Sequence, residues 1–294
     1  MLLFLEQLLN GVQLSVTLLL MASGLTLVFG IMNLLNLAHG SLFMVGAYVA
    51  AWTTGVSGSW LLGLVAGAAA AFVTGIVIEL VVMRRLYARD HLDQVLATFG
   101  LILFFNELVR LLWGIRPMRL DVPEALGGFV EIVPGAPYPL YRLAVIAAGA
   151  AVMLALAWLV QGTRVGMRIR AGSVDREMIG ALGVDIGRLY TLVFALGALL
   201  AGLAGVLAGP FLAIQSGMGE PILILAFVVV VIGGIGSLKG AVAGSLLVGI
   251  TDTLGRVYLP KITDAGPALS SMLIFLVMAV VLAVFPTGLY GRKS

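Results

Sequence analysis

Long apolar runs recur along the whole chain, separated by short polar or charged stretches. Nine of them approach or exceed the roughly 20 residues that a helix needs to span the hydrocarbon layer of a membrane. They are 11–32, 38–55, 60–83, 94–114, 140–160, 189–209, 220–236, 241–258 and 268–287. None shows the short alternating segments of transmembrane β-strands. The pattern therefore predicts an all-α fold, a polytopic transmembrane helical bundle of eight or nine spans.

The charges between these runs predict how the chain crosses the membrane. Basic residues follow the third run, fill segment 161–188 and recur at Arg292 and Lys293, and the positive-inside rule assigns such stretches to the cytoplasm. Segment 115–139 has five prolines and mixed charge and is interpreted as an external loop. Counting crossings places the N-terminus outside and the C-terminus inside. Nine spans satisfy this topology if 241–258 crosses fully, and eight remain if it only re-enters.

Composition agrees with a membrane protein and excludes several functions. Hydrophobic residues make up 61% of the 294 residues and charged residues 11%, which is too little polar surface for a soluble protein. Because cysteine is absent, disulfides, iron–sulfur clusters and thiolate-bound zinc are excluded. The net charge of +3 does not indicate a nucleic-acid partner, since the arginines cluster where the positive-inside rule places them.

No catalytic motif is present. His39 and His91 lie on different segments without metal-ligand spacing, and the chain contains no Walker A, GxSxG or HExxH sequence. The glycines of 233–237 lack the spacing of a phosphate-binding loop and indicate a tight turn. We therefore expect no catalytic residue, no metal site and no cofactor, and the chain is not expected to be an enzyme.

The strongest concentration of charge is segment 161–188, where five arginines stand among three carboxylates. Residues 171–183 within it, which we call the docking segment, predict a short helix. Ser173 is its expected N-cap, with Asp175 and Glu177 in the first turns, where the helix dipole favours negative charge. The alternative is an ordinary solvated loop.

The predicted helix has an apolar face formed by Val174, Met178, Ala181 and Leu182. Gly180 is expected to permit close approach and Gly183 to end the helix. A helix of two turns does not persist alone in water. The docking segment is therefore expected to bind a soluble partner.

Polar residues interrupt the apolar sequence between the first two runs. Asn33, Asn36 and His39 recur every third residue, so in a helix they would form one polar stripe, followed by Gly40. Such a stripe is unfavourable in lipid unless it faces a partner or water. It indicates either the lining of a translocation path, with or without a broken helix, or a turn whose amides cap the two helices.

Three carboxylates in or beside apolar runs need an explanation. Asp252 is a candidate for the translocation path, or it pairs with Arg256 four residues later. Glu107 is expected to pair with Arg110, and Glu79 to extend towards the cytoplasmic surface near Arg84.

Four stretches resemble one known family. GLTLVFGIMNLLNLAHGSLFMVGAY (24–48) is similar to the opening segment of permease subunits of high-affinity branched-chain amino acid ABC importers. The wider permease family also resembles this chain at 163–207, at GGIGSLKGAVAGSLLVG (233–249) and at FPTGLYG (285–291). The NLAHG sequence at 36–40 is similar to the shorter of the two permeases that such importers pair.

The resemblance implies a type II ABC importer-like permease. The chain is expected to form one domain over 1–294, either undivided or built as two structural halves joined by the proline-rich external loop. The resemblance places it in the bacterial inner membrane, with 161–188 as its cytoplasmic coupling loop. The implied partners are a homologous longer permease in a heterodimer, two cytoplasmic ABC ATPase subunits and a periplasmic binding protein. The residues that correspond to the coupling helix are Ser173, Asp175, Glu177, Met178, Ile179, Gly180, Leu182 and Gly183.

Two alternatives remain open. Urea and short-chain amide ABC importers use similar permeases, so the motifs do not decide the substrate. An ion-coupled secondary transporter would instead need an essential buried carboxylate, for which Asp252 and Glu107 are the candidates.

Overall fold

The computed structural model describes residues 2–32, 34, 36–87, 89–133 and 136–291, so Asn33, Arg292 and Lys293 lie outside the described residues. The helices are α1 (Leu2–Met32), α2 (His39–Ser57), α3 (Trp60–Ile78), α4 (Arg84–Leu86), α5 (His91–Trp113), α6 (Leu140–Gly162), α7 (Arg164–Gly172), α8 (Arg176–Ala181), α9 (Ile186–Ala208), α10 (Gly219–Gly233), α11 (Leu238–Ile262) and α12 (Gly266–Val284). A π-helical segment, Glu79–Met83, joins α3 to α4, and we call Trp60–Leu86 the α3–α4 rod.

A helix lies at each of the nine predicted runs. Within the described part of the chain, six helices are long and apolar enough to cross a membrane: α1, the α3–α4 rod, α5, α6, α9 with its short extension, and α12. α10 has 15 residues, and the polar residues of α2 and α11 lower their hydropathy. The chain is thus a multi-pass helical membrane protein, while the count of eight or nine spans stays a prediction.

The segment whose crossing was left open forms one continuous helix. α11 has 25 residues, which correspond to roughly 37 Å at about 1.5 Å per residue. The hydrocarbon layer is roughly 30 Å thick. The unbroken helix therefore favours a full crossing over re-entry.

The proline-rich segment 115–139 is more ordered than a loop. Strands β1 (Phe129–Val133) and β2 (Ala136–Pro139) form an antiparallel hairpin in which Val130 pairs with Tyr138. The sequence indicates a loop here and does not predict the hairpin, because the prolines and mixed charge of this segment are not typical of strands.

The helices differ in how much of their surface is buried. Of the most apolar 18-residue stretch of each helix, 72% is buried in α1 and 78% in α9, whereas 11% is buried in α12. α12 therefore presents apolar side chains outward, as a helix in contact with lipid does. α1 and α9 belong to the interior.

The chain folds as two compact units, each made of separate stretches. The first comprises 1–22, 122–151 and 224–294, and the second comprises 23–121 and 152–223. The single domain over 1–294 stays a prediction.

Small residues hold the core of the second unit together. Gly46 of α2 lies on the backbone of Gly202 in α9, where an added Cβ would stand 2.6 Å from its Cα atom. In the α3–α4 rod, Gly75 packs on Ala198 and Ala71 packs on Gly202. Such small-residue contacts let helices approach closely in a membrane. They join α2, α3 and α9 into one tight cluster.

In the first unit, polar groups link the start of α1 to the hairpin. The Oδ1 atom of Asn10 accepts hydrogen bonds from the hydroxyl of Tyr138 (3.1 Å) and from Nη1 of Arg142 (2.6 Å). Further along α1, Ser15 packs on Gly249 of α11. These contacts fix α1 against elements that are distant in sequence.

Candidate functional site

The charged segment after α6 folds into two short helices. Thr163 caps α7, and its hydroxyl accepts a hydrogen bond from the amide of Gly166 at 3.0 Å. Gly166 lies directly on the backbone of Val160, so a larger residue would not fit at this bend. The chain therefore turns sharply out of α6 before it reaches the docking segment.

The N-cap of α8 is Asp175 and not Ser173, which corrects the prediction. The Asp175 carboxylate accepts hydrogen bonds from the amides of Glu177 (3.0 Å) and Met178 (2.9 Å). Ser173 ends α7 instead, and its hydroxyl donates to the carbonyl oxygen of Arg170 at 2.7 Å. Serine and aspartate are comparable N-caps, and because Asp175 directly precedes the first residue of α8, it occupies the cap position. Glu177 does lie in the first turn, as expected.

The two glycines of the docking segment have different roles. Gly183 has a φ of +87° and ends the helix, as predicted. Its amide donates to the carbonyl oxygen of Gly180 (3.0 Å), and the amide of Val184 donates to the carbonyl oxygen of Ile179 (3.2 Å). A Cβ at Gly180 would lie 3.5 Å from Ile186, an ordinary contact. Close approach does not require that glycine.

The docking segment exposes an apolar surface. Val174, Met178 and Leu182 are 69%, 61% and 77% exposed, whereas Ile179 is buried. Met178 lies within α8, Leu182 follows its last residue and Val174 precedes its cap, and we call these three side chains the exposed apolar side of the docking segment. This exposed apolar side is the feature that the sequence pattern predicts.

The docking segment rests on the start of α9. Asp185 caps α9 by accepting a hydrogen bond from the amide of Arg188 at 3.0 Å. A Cβ at Gly172 would lie 3.2 Å from the side chain of Leu189. A displacement of the docking segment would thus act directly on the first turns of α9.

Glu79 does not extend to the surface, which corrects the prediction made for it. Its side chain is fully buried in the α3–α4 rod. Its carboxylate accepts hydrogen bonds from the hydroxyls of Thr191 (2.6 Å) and Tyr87 (2.8 Å), and longer ones of 3.4 Å from Arg84. Burial raises the pKa of the Tyr87 hydroxyl well above its usual range, and the hydrogen bond to Glu79 raises it further. The Tyr87 hydroxyl therefore stays protonated and donates its hydrogen bond to Glu79.

The predicted polar stripe is not helical. Asn33 lies outside the described residues. Asn36 lies in the break between α1 and α2, and His39 is the first residue of α2. A helix that ends and restarts does not align these side chains on one face.

The break lies inside the protein. Asn36 and His39 are each 1% exposed. Among the described residues, neither polar atom of the Asn36 amide has a hydrogen-bond partner. Ala38 precedes α2 and supplies no side-chain cap. Asn36 therefore does not cap a helix, and a turn at residues 37–38 precedes α2.

Two close contacts surround the break. The ring of His39 lies against α1, where a Cβ at Gly24 would stand 2.8 Å from Nε2. A Cβ at Gly40 would stand 2.7 Å from the carbonyl oxygen of Gly219. The start of α2 is therefore tightly enclosed.

Asp252 is paired as expected. It is 3% exposed, and Nε of Arg256 donates to both of its carboxylate oxygens at 2.8 Å. Asp252 belongs to the first unit, whereas Asn36, His39 and Gly40 belong to the second. Its place in a translocation path stays a prediction.

Another polar cluster, at the start of α10, was not predicted. Nδ2 of Asn106 donates to Glu220 at 2.7 Å, and its Oδ1 accepts from the amide of Gly217 at 3.1 Å. The nearby pair of Glu107 and Arg110 forms at 2.7 Å, as expected. Within the described residues, no group of three acidic, histidine or cysteine side chains is placed to hold a metal ion.

The family of the chain follows from comparison with known proteins. The family described as "Branched-chain amino acid transport system / permease component" matches residues 7–282. The chain belongs to this family. The resemblance to branched-chain amino acid permeases is thereby confirmed, and the chain is a transport permease.

Three relatives show how far the similarity of this permease extends. LivH, the high-affinity branched-chain amino acid transport system permease protein of Escherichia coli K12, is 33% identical over 316 residues, which cover 99% of this permease and 96% of LivH. BraD of Pseudomonas aeruginosa, which has the same description, is 32% identical over 305 residues, covering 99% and 97%. The ribose import permease protein RbsC of Escherichia coli K12 is 26% identical over 245 residues, covering 78% and 71%. No solved structure matches this permease significantly.

Two of the family-like stretches meet in the permease. The amide of Leu289 donates to the carbonyl oxygen of Ile232 at 2.8 Å, and the amide of Tyr290 donates to the carbonyl oxygen of Gly233 at 3.0 Å. Gly234 and Gly288 both have positive φ and pack on each other. The glycine-rich turn at 233–237 thus anchors the FPTGLYG stretch, which agrees with a structural turn.

Proposed function

We propose that this chain is the membrane-spanning permease subunit of an ATP-driven importer for branched-chain or other hydrophobic amino acids. Separate cytoplasmic ATPase subunits drive its alternating access, and the chain itself hydrolyses nothing. The observation that carries this proposal is the exposed apolar side of the docking segment, formed by Val174, Met178 and Leu182. The relatives LivH and BraD, both permeases of branched-chain amino acid transport systems, support the substrate class.

The docking segment is suited to a groove on a folded partner. Its three exposed apolar side chains gain most from burial, roughly 1.5–3 kcal/mol for each large side chain. Asp175 holds the helix in place while Glu177 and Arg176 remain exposed for polar contacts at the rim. An apolar centre with a polar rim is the usual form of a protein interface. We assign the coupling role to residues 173–183 on this basis.

Movement of the docking segment is carried into the membrane through α9. Closure of the ATPase dimer on ATP would displace the segment and α9 together, since Gly172 packs on Leu189. α9 is in turn packed along α2 and α3 through Gly46, Gly75 and Gly202. A small displacement at one site is amplified at others because packed helix interfaces are not continuously deformable.

The break between α1 and α2 is our candidate for the translocation path. Asn36 has a buried amide with no partner among the described residues. Such an amide is costly in a closed interior and becomes favourable when a polar solute or water reaches it. Asn33, His39 and Gly40 extend this candidate path. Asp252 is a further candidate for lining it.

The remaining partners follow from the family. We propose a heterodimer with a homologous longer permease, two ABC ATPase subunits and a periplasmic binding protein, in the bacterial inner membrane. The N-terminus would lie outside and the C-terminus in the cytoplasm. The exposed apolar surface of α12 fits a lipid bilayer.

Reconstitution into liposomes tests the proposed function. The complete complex should take up labelled leucine only when ATP is supplied on the ATPase side. The lone chain should take up none under a proton or sodium gradient. Uptake by the lone chain under such a gradient would instead establish a secondary transporter.

The substrate is tested in the same liposomes. Leucine, isoleucine and valine should compete with each other, whereas urea, acetamide and ribose should not. Competition by urea or acetamide at similar concentrations would move the assignment to an amide importer.

A further inference from the structure

Glu79 is a fully buried carboxylate in a membrane-spanning rod, and it is bound from two different helices. Arg84 reaches it from its own rod, Tyr87 from directly after the rod, and Thr191 from α9. A buried carboxylate is very unfavourable unless it is paired and hydrogen-bonded. These three partners therefore make Glu79 the centre of a polar cluster that joins the rod to α9.

The backbone of the rod is adapted to this cluster. Glu79–Met83 is π-helical within an otherwise α-helical rod. In a regular α-helix, residues five apart point about 140° away from each other, so Glu79 and Arg84 would not meet. The wider π turn brings Arg84 to within 3.4 Å of Glu79. Such π segments are rare and occur frequently at functional sites.

On the other side, the cluster holds the start of α9. The Thr191 hydroxyl donates to Oε2 of Glu79 at 2.6 Å and accepts from Nη2 of Arg84 at 3.0 Å. Next to it, Tyr190 packs edge to face on Tyr87, with ring centres 5.1 Å apart. These two neighbours lie in the first two turns of α9, directly after the docking segment.

Further along the rod, α3 and α9 also meet through small apolar residues. Gly75 packs on Ala198, and Ala71 packs on Gly202. Such contacts hold helices close but allow small sliding motions. A hydrogen-bonded carboxylate fixes both the distance and the register of the two helices.

We propose that Glu79 is a positioning residue that locks the cytoplasmic end of the α3–α4 rod to α9, so that a displacement of the docking segment moves α3 together with α9. The proposal rests on the proposed function, because it concerns how ATPase movement reaches the membrane core. It identifies the Thr191–Glu79 hydrogen bond as the link across the two helices. Without that link, ATP is hydrolysed but less substrate is moved.

Two variants of Thr191 separate this role from a purely structural one. Thr191→Val keeps the shape of the side chain and removes the hydroxyl, whereas Thr191→Ser keeps the hydroxyl. Each variant is incorporated into the complete complex in liposomes. The measurement is the number of ATP molecules hydrolysed per labelled leucine imported, together with the thermal midpoint of the purified complex.

Thr191→Val is expected to raise the ATP cost per leucine at least about five-fold, the lower end of typical couplings between sites. Thr191→Ser should restore the wild-type ratio, and Glu79→Gln should raise it as Thr191→Val does. A wild-type ratio in Thr191→Val, whether or not its thermal midpoint falls, would overturn the proposal. If Thr191→Val does not assemble, the ATP-to-leucine ratio of Glu79→Gln replaces it, and a wild-type ratio there would overturn the proposal. If none of the three variants assembles, the contact is structural and the proposal is also overturned.

Failure of this inference is distinguishable from failure of the proposed function. If the wild-type complex shows no ATP-dependent uptake, the proposed function is wrong, and this inference falls with it. If the wild type imports with ATP and Thr191→Val keeps its ratio, only the role of Glu79 is wrong.

Discussion

The Asp175 carboxylate accepts a 2.9 Å hydrogen bond from the backbone amide of Met178, and this bond fixes the start of α8. Met178 is also one of the exposed apolar residues of the docking segment. The cap therefore controls the direction in which the proposed interface side chain points. Several consequences of this geometry are measurable.

Removing the cap should loosen the docking segment. Asp175→Ala is expected to cost α8 about 0.5–2 kcal/mol, because the amides of Glu177 and Met178 lose their acceptor. Hydrogen exchange of residues 176–181 should then accelerate, and affinity for the ATPase subunits should fall. Ser173→Ala is the matched control and should leave the exchange of residues 176–181 unchanged, since Ser173 does not cap α8. Equal effects of the two substitutions would contradict the assignment of the cap.

The two glycines of the docking segment should respond differently to alanine. Gly183→Ala is expected to destabilise the end of α8 by about 1–2 kcal/mol, because L-residues are strained at a φ of +87°. Gly180→Ala lies within the helix, where its Cβ would make an ordinary contact with Ile186, and should be neutral or stabilising by roughly 0.5–1 kcal/mol. Hydrogen exchange at Val184 and Leu182 measures both effects. Faster exchange in Gly180→Ala than in Gly183→Ala would show that the helix ends elsewhere.

The contact between α3 and α9 should be sensitive to one methyl group. Gly75→Ala places a Cβ against that of Ala198, and overpacking of this kind costs about 1–3 kcal/mol. The thermal midpoint of the detergent-purified chain should fall. Gly100→Ala in α5 is the control, since a Cβ there meets no atom within 4 Å. A midpoint unaffected by Gly75→Ala would mean that the two helices are not in close contact.

A substitution of Asn36 distinguishes a role in the candidate path from a purely structural role. Because its amide has no partner among the described residues, Asn36→Leu should leave the thermal midpoint unchanged or raise it, by about 1–3 kcal/mol of stability at most. ATP-dependent leucine uptake should nevertheless fall. Asn10→Leu is the contrasting variant and should lose stability, because Tyr138 and Arg142 lose their acceptor. Normal uptake by a stable Asn36→Leu protein would remove Asn36 from the path.

The helices were predictable from the sequence, since the length of an apolar run depends on local composition alone. The choice of Asp175 over Ser173 as cap was not, because both residue types are good caps and the backbone decides between them. The burial of Glu79 was hidden for a different reason. Its partner Thr191 lies 112 positions away, and only the packing of α3 on α9 brings the two together. The break at Asn36 likewise needs a folded interior to distinguish it from an exposed turn.

The most direct test of the central claim uses the absence of cysteine from the chain. A single Met178→Cys or Leu182→Cys can be labelled with a maleimide in membranes, with and without the ATPase subunits. Leu92→Cys is the control, because Leu92 is also highly exposed and lies just after the basic segment 84–89 that follows the third apolar run. If the docking segment binds the ATPases, assembly should block labelling at residues 178 and 182 and leave residue 92 reactive. Equal labelling of residues 178 and 182 in free and fully assembled complexes would contradict the account.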